Sequence, residues 1–232
     1  MLTVAYASYA LAQAALAVWA YALYRRRPSY GALTLLLPIA AVVYDNAMVA
    51  AGSFIGDGRL LEVLSFPRFL GHALLTPVWI VTAVAFATRV GAFGERARAL
   101  RTGSWALYAL AVVVGLVNSV VLLRYELVLQ GDLVYYTNGG GLGVPPFPSI
   151  AMTLVVIAMG VVVLRRARWP WMLAGAVFML VAAAIPTDLV GFVVSNSGEV
   201  VMAASLVATE AFLQKRERTA ASAQAGAMPP VA

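Results

Sequence analysis

Val43-Tyr44-Asp45-Asn46 interrupts an apolar run that extends from 31 to 55. A run that long matches the thickness of a bilayer core, which takes about 20 residues of helix to cross. An aspartate followed at once by an amide is costly in hydrocarbon, so it requires a partner or a purpose. These two facts set the fold and the search for a site.

Outward from that segment the same pattern repeats. Seven apolar stretches are predicted to cross a membrane, at 3–24, 31–55, 68–91, 104–124, 148–165, 170–193 and 197–214. Open sheet edges cannot be satisfied in lipid, so the expectation is an all-α polytopic membrane protein, a bundle of seven transmembrane helices. Over 232 residues the chain is 62% hydrophobic and 11% charged, outside the range of ordinary soluble domains. The formal charge of +6 does not imply nucleic acid, because fifteen of the sixteen basic residues are arginines and most cluster between apolar stretches.

Those clusters set a predicted orientation. Arg25, Arg26 and Arg27 follow the first stretch, Arg96, Arg98 and Arg101 the third, and Arg165, Arg166 and Arg168 the fifth. Lys215, Arg216 and Arg218 follow the seventh. The positive-inside rule then places the N-terminus outside and the C-terminus in the cytoplasm of a multi-pass cell-membrane protein. Residues 1–218 form the expected membrane domain and residues 219–232, small and polar, a disordered cytoplasmic tail. The loop from Tyr125 to Pro148, carrying Tyr135-Tyr136 and a run of glycines, is expected outside as a lid or a connector.

Several chemistries are excluded by composition. The chain has no cysteine and one histidine, His72, which removes thiol chemistry, disulfides, thiolate metal sites and bis-histidine haem ligation. Its only lysine, Lys215, lies at the end of the last stretch, where it cannot form a retinal Schiff base in mid-membrane. Neither a cofactor nor a metal is expected, and the one metal site the composition leaves open is His72 with Asp45, Asp188 or Glu199.

Carboxylates and their neighbours remain. Asp45 and Asn118 fall slightly outside the midplane, Asp188 nearer the outer surface, and Glu199 opens the last stretch on that side. Arg68, His72 and Thr76 recur at four-residue spacing and so share one helical face, with Pro77 just below them. That face can meet Asp45 or Asp188. The alternatives are structural: Arg68 as an interfacial arginine, Asn118 as interhelical hydrogen bonding, Glu210 as a paired acid. Val43-Tyr44-Asp45 and Pro186-Thr187-Asp188 lie at comparable depth, which raises an internal repeat of three-helix halves.

Tyr44-Asp45-Asn46, followed by Val49-Ala50-Ala51-Gly52, resembles the aspartate–asparagine segment of the integral-membrane lycopene cyclases. The resemblance covers about thirty residues and carries over only Asp45 and Asn46. It implies a small helical bundle whose acids protonate an olefin in an isoprenoid chain and later remove a proton. The family continues with a proline and paired glutamates, whereas this chain has Phe66-Pro67-Arg68-Phe69 and then His72. In the broader group of small membrane terpene cyclases two acids on different helices do similar work, which Asp45 and Asp188 would supply here.

The functional expectation is therefore acid–base chemistry on a membrane lipid or isoprenoid, with Asp45, Asp188 and His72 catalytic. Asn46, Tyr44, Arg68, Thr76, Asn118 and Glu199 would line the substrate. An outward-facing carrier and a receptor-like subunit are the other two classes the sequence allows.

Overall fold

The computed structural model describes residues 1–142, 147–186 and 191–226. They are mostly helical. Helix α1 (Leu2–Arg26) ends on Arg25 and Arg26, which suit the negative end of the helix dipole, and Pro28 then prevents continuation. Helix α2 (Tyr30–Ile55) starts at Ser29, whose hydroxyl accepts the Ala32 amide at 3.0 Å, and stops at Gly56, where φ is +79°. Asp45 and Asn46 lie on the buried face of α2.

The third expected span begins earlier than 68 and is broken. Helix α3 (Arg59–Leu74) gives way to a 3-10 turn at Thr76–Val78, and helix α4 (Trp79–Arg89) resumes beyond it. Pro77 has no amide hydrogen to donate, which accounts for the change of pitch. From Trp79 to Ala87 every residue of α4 is buried, so this short helix forms the centre of the bundle. Leu35 and Ile39 of α2 and several residues of the last helix pack around it.

Helix α5 (Ala97–Leu116) runs into a π-helical turn, Val117–Val121. Then a short strand pair departs from the otherwise helical pattern. Strands β1 (Tyr125–Gln130) and β2 (Leu133–Asn138) form an antiparallel hairpin, paired from Tyr125↔Asn138 to Gln130↔Leu133 around Gly131, where φ is +60°. Val128, Val134, Tyr135 and Tyr136 have the β-branched and aromatic character that favours strands, and Gly131-Asp132 supplies the tight turn. The hairpin is a packed element, not a loose connector. A Cβ on Gly52 would stand 1.8 Å from the Val134 carbonyl oxygen, so β2 lies directly on the backbone of α2. At the turn, Asp132 takes the N-terminal ammonium and the Leu2 amide, the latter at 2.8 Å. The ammonium, above all, holds the Asp132 carboxyl well below the usual carboxylate range.

Helix α6 (Phe147–Ala167) packs on α4, and α7 (Trp171–Ala184) packs between α6 and the last helix, α8 (Val193–Gly226). Small residues allow these approaches: a Cβ on Gly175 would meet the Ser205 hydroxyl at 2.2 Å. Two expected boundaries shift. Among the described residues the sixth apolar run, 170–193, yields the 14 residues of α7, which ends where the chain turns extended at Ile185 ahead of Pro186. Part of the expected disordered tail, from Thr219 to Gly226, continues α8, consistent with its alanine content. Residues 227–232 lie outside the described residues.

Among the described residues, five helical segments are long and apolar enough to cross a membrane: α1, α2, Arg59–Arg89, Gly94–Val121 and α6. Helix α7 is shorter, about 21 Å at 1.5 Å per residue, and α8 is apolar only between its acids.

The chain folds so that Arg27, Arg89 and Arg101 come together at one end and the hairpin packs at the other, against Gly52 of α2. At the arginine end Arg89 donates from Nε to Glu217 at 2.8 Å and from Nη1 to Glu210. Glu210 also accepts from Ser29 at 3.1 Å and from Gln214 at 2.8 Å, and Gln214 donates to the Leu23 carbonyl at 3.1 Å. Glu210 is thus a fully paired acid tying α2 and α4 to α8.

Candidate functional site

Asp45 projects from α2 toward α3, and the shared face of α3 meets it. Arg68 donates from Nε to Asp45 Oδ1 at 2.7 Å, with both side chains nearly buried. The Nη1 of Arg68 donates to the Tyr136 carbonyl at 3.0 Å, which fastens the hairpin to the same ion pair. One turn further on, His72 Nε2 stands 3.6 Å from Oδ1 of Asp45, and its Nδ1 stands 3.4 Å from the Thr76 hydroxyl. Four-residue spacing on α3 therefore lines up a guanidinium, an imidazole and a hydroxyl beside one carboxylate. The Arg68 charge and the hydrogen bond from its Nε offset much of the cost of burying Asp45.

This cluster forms one wall of a cavity of about 380 Å³ at the hairpin end. That volume falls within the range of small-molecule sites. Asp45, Arg68, His72 and Glu199 make its polar side, while Val49, Phe69, Met179, Ala183 and Phe192 make an apolar one. Tyr135, Tyr136 and Thr137 of β2 complete the wall, so the hairpin covers the site.

Glu199 is the unusual member. It is 9% exposed, and its Oε2 is buried without a hydrogen-bond partner among the described residues. Buried carboxylate oxygens are nearly always paired, and one that is not calls for an explanation in function. Glu199 sits on α8 three residues after Asn196, so both point to the same face.

Asn46 lies behind the cavity wall. Its Nδ2 donates to Gln13 at 3.0 Å and to the Val42 carbonyl at 3.0 Å, and its Oδ1 accepts from Asn196 at 2.9 Å. This buried amide ladder joins α1, α2 and α8 and fixes α8 where Glu199 faces the cavity. A buried network of that kind orients its helices, although the Nε2 of Gln13 has no partner among the described residues.

Other residues expected at the site lie elsewhere. Tyr44 donates to the Leu64 carbonyl at 2.8 Å and pins α2 to α3 outside the cavity. Thr76 reaches the site only through His72. Asn118, in the π-helical turn, accepts the Leu142 amide at 2.9 Å, and its own carbonyl accepts from Asn138 at 2.9 Å. It secures the loop after the hairpin. Asp188, and with it the suggested repeat, lies outside the described residues. Gln13, Asn196 and Tyr6 are site or supporting residues that the sequence reading missed. A lone glutamine within an apolar run was the available signal for Gln13.

Among the described residues no group of three His, Asp or Glu side chains is placed to hold a metal ion. No family model, curated protein or solved structure matches the chain.

Proposed function

We propose that the chain is an integral-membrane enzyme that acts on a lipid or isoprenoid by carboxylate acid–base chemistry in the cavity beneath the hairpin. The observation that carries this reading is the unpartnered Glu199 carboxylate, which shares one cavity with the Asp45–Arg68–His72 cluster. The apolar side of the cavity fits a hydrocarbon chain.

The chemistry follows from the roles left open. Held by Arg68, Asp45 is committed to charge balance and to orienting His72, so the proton donor is Glu199. Its proton adds to one carbon of a double bond, whose π pair forms the new C–H bond. The resulting cation either loses a neighbouring proton or first closes on a second double bond. Returning that proton to the glutamate carboxylate makes the net reaction an isomerisation or cyclisation, with no other reactant needed. Phe69 and Phe192 line the cavity, and aromatic rings there would stabilise positive charge in transit.

Expression in a host supplied with isoprenoid precursors tests this reading. The lipid extract is expected to show a new product or a depleted precursor relative to a vector control. An unchanged extract, with folded protein in the membrane, would favour the carrier and turn attention to solute flux in liposomes.

The enzyme is further proposed to cross the membrane seven times, with the N-terminus and hairpin outside and the four basic clusters in the cytoplasm. The absence of native cysteine makes this directly testable. Leu129→Cys, on an exposed hairpin position, should react with an impermeant maleimide on intact cells, and Arg98→Cys only after permeabilisation. The reverse pattern would invert the topology.

A further inference from the structure

A second cavity, of about 280 Å³, opens at the arginine end between the start of α2, α4 and the first turns of α5. It shares no residue with the cavity under the hairpin. Ser29, Arg89, Arg101 and Ser104 form its polar side, Val81 and Ala85 its apolar side. No aspartate or glutamate lines it; Glu210 lies behind its wall, paired with Ser29 and Arg89.

The charges here are unequally spent. Arg89 is committed to Glu210 and Glu217 through Nη1 and Nε. Arg101 has one partner, the Thr88 hydroxyl, 3.2 Å from Nη2, and no ion-pair partner among the described residues. A guanidinium carries five N–H donors, so most of those on Arg101 face the cavity or solvent unused. Tyr30 and Gly31 line the cavity from the first turn of α2, where backbone amides lack intrahelical acceptors. Tyr30 and Trp105 flank the opening edge to face, 6.1 Å between ring centroids, and both are partly exposed.

Donors at one end, an apolar wall beside them and an aromatic pair at the rim match the three parts of a phospholipid at the membrane interface. A soluble anion would use the donors but leave Val81 and Ala85 without a role. We infer that this cleft holds the phosphate of an anionic membrane phospholipid, with Arg101 as its main ligand, Arg89 behind it and an acyl chain along Val81 and Ala85. The inference rests on the chain residing in a membrane and is independent of the chemistry proposed for the other cavity.

The test is native mass spectrometry of the full-length protein in neutral detergent, titrated with dioleoylphosphatidylglycerol. Dioleoylphosphatidylcholine and sodium phosphate serve as parallel probes. Phosphatidylglycerol is expected to bind at least about tenfold tighter than phosphatidylcholine, and Arg101→Gln to weaken it by about tenfold, the scale of one lost charge-assisted hydrogen-bond set. Arg98→Gln, exposed on the same helix and outside the cleft, should leave the affinity unchanged. Equal losses from the two variants would reduce the site to a diffuse basic surface and overturn the inference. So would equal binding of the two lipids, or displacement of phosphatidylglycerol by sodium phosphate.

Discussion

Replacing Arg68 with methionine is expected to destabilise the folded protein by about 3–5 kcal/mol, the cost of leaving a buried charge without its partner. The methionine keeps much of the apolar stem, so the loss reports the guanidinium. Its removal takes the 2.7 Å bond from Asp45 and the 3.0 Å bond from the Tyr136 carbonyl together. His72, at 3.6 Å, is too distant to replace the first of these. The hairpin should loosen as well, because β2 loses the side chain that ties it to α3. Thermal unfolding in detergent measures the effect. Adding Asp45→Asn to Arg68→Met removes the stranded charge and should recover most of the stability, a coupling of the kind neighbouring sites show. A single variant within about 1 kcal/mol of wild type, the scale of an exposed ion pair, would mean that Asp45 and Arg68 are solvated and that the wall of the cavity is not closed as described.

The pairing at the centre of that prediction was partly legible in the sequence. Asp45 in an apolar run announced a site, and the spacing of Arg68, His72 and Thr76 put three polar groups on one face that does meet it. Four basic clusters at alternating ends of apolar stretches implied a common end, and Arg27 of the first cluster meets Arg89 at Glu217. These are local or periodic signals, and they survive folding.

What the sequence hid is tertiary. The hairpin was obscured because its strands lie in a loop otherwise marked by glycines and prolines, and its stability comes from packing against Gly52 of α2. Helix α4 is apolar enough to read as half of an ordinary span, yet Trp79 to Ala87 are all buried because α2, α5, α6 and α8 pack around it. Depth in the membrane singles out Asp45 in the sequence, but it does not show which acids are paired. Only the fold distinguishes a carboxylate held by arginine from one, Glu199, without a partner. Tyr44 is adjacent to Asp45 in sequence but lies about 100° away around the helix, so adjacency put it on the wrong face.

Glu199→Gln is the variant with the largest expected effect on activity. The amide is nearly isosteric with the carboxyl group, preserves the volume of the cavity wall and leaves the Gln13–Asn46–Asn196 ladder intact. Stability should change little, since the Oε2 it replaces has no partner to lose. Chemistry should stop, because an amide has no acidic proton of comparable strength to give and no carboxylate to take one back; removal of a general acid typically costs two to four orders of magnitude in rate. Asp45→Asn should also lower the rate, but with a loss of stability that Glu199→Gln does not share. The decisive measurement is mass spectrometry of lipid extracts from cells that express wild type and Glu199→Gln at matched levels with isoprenoid precursors supplied. The account predicts a product that forms only with the wild type, and an identical product profile from the folded Glu199→Gln protein would contradict it.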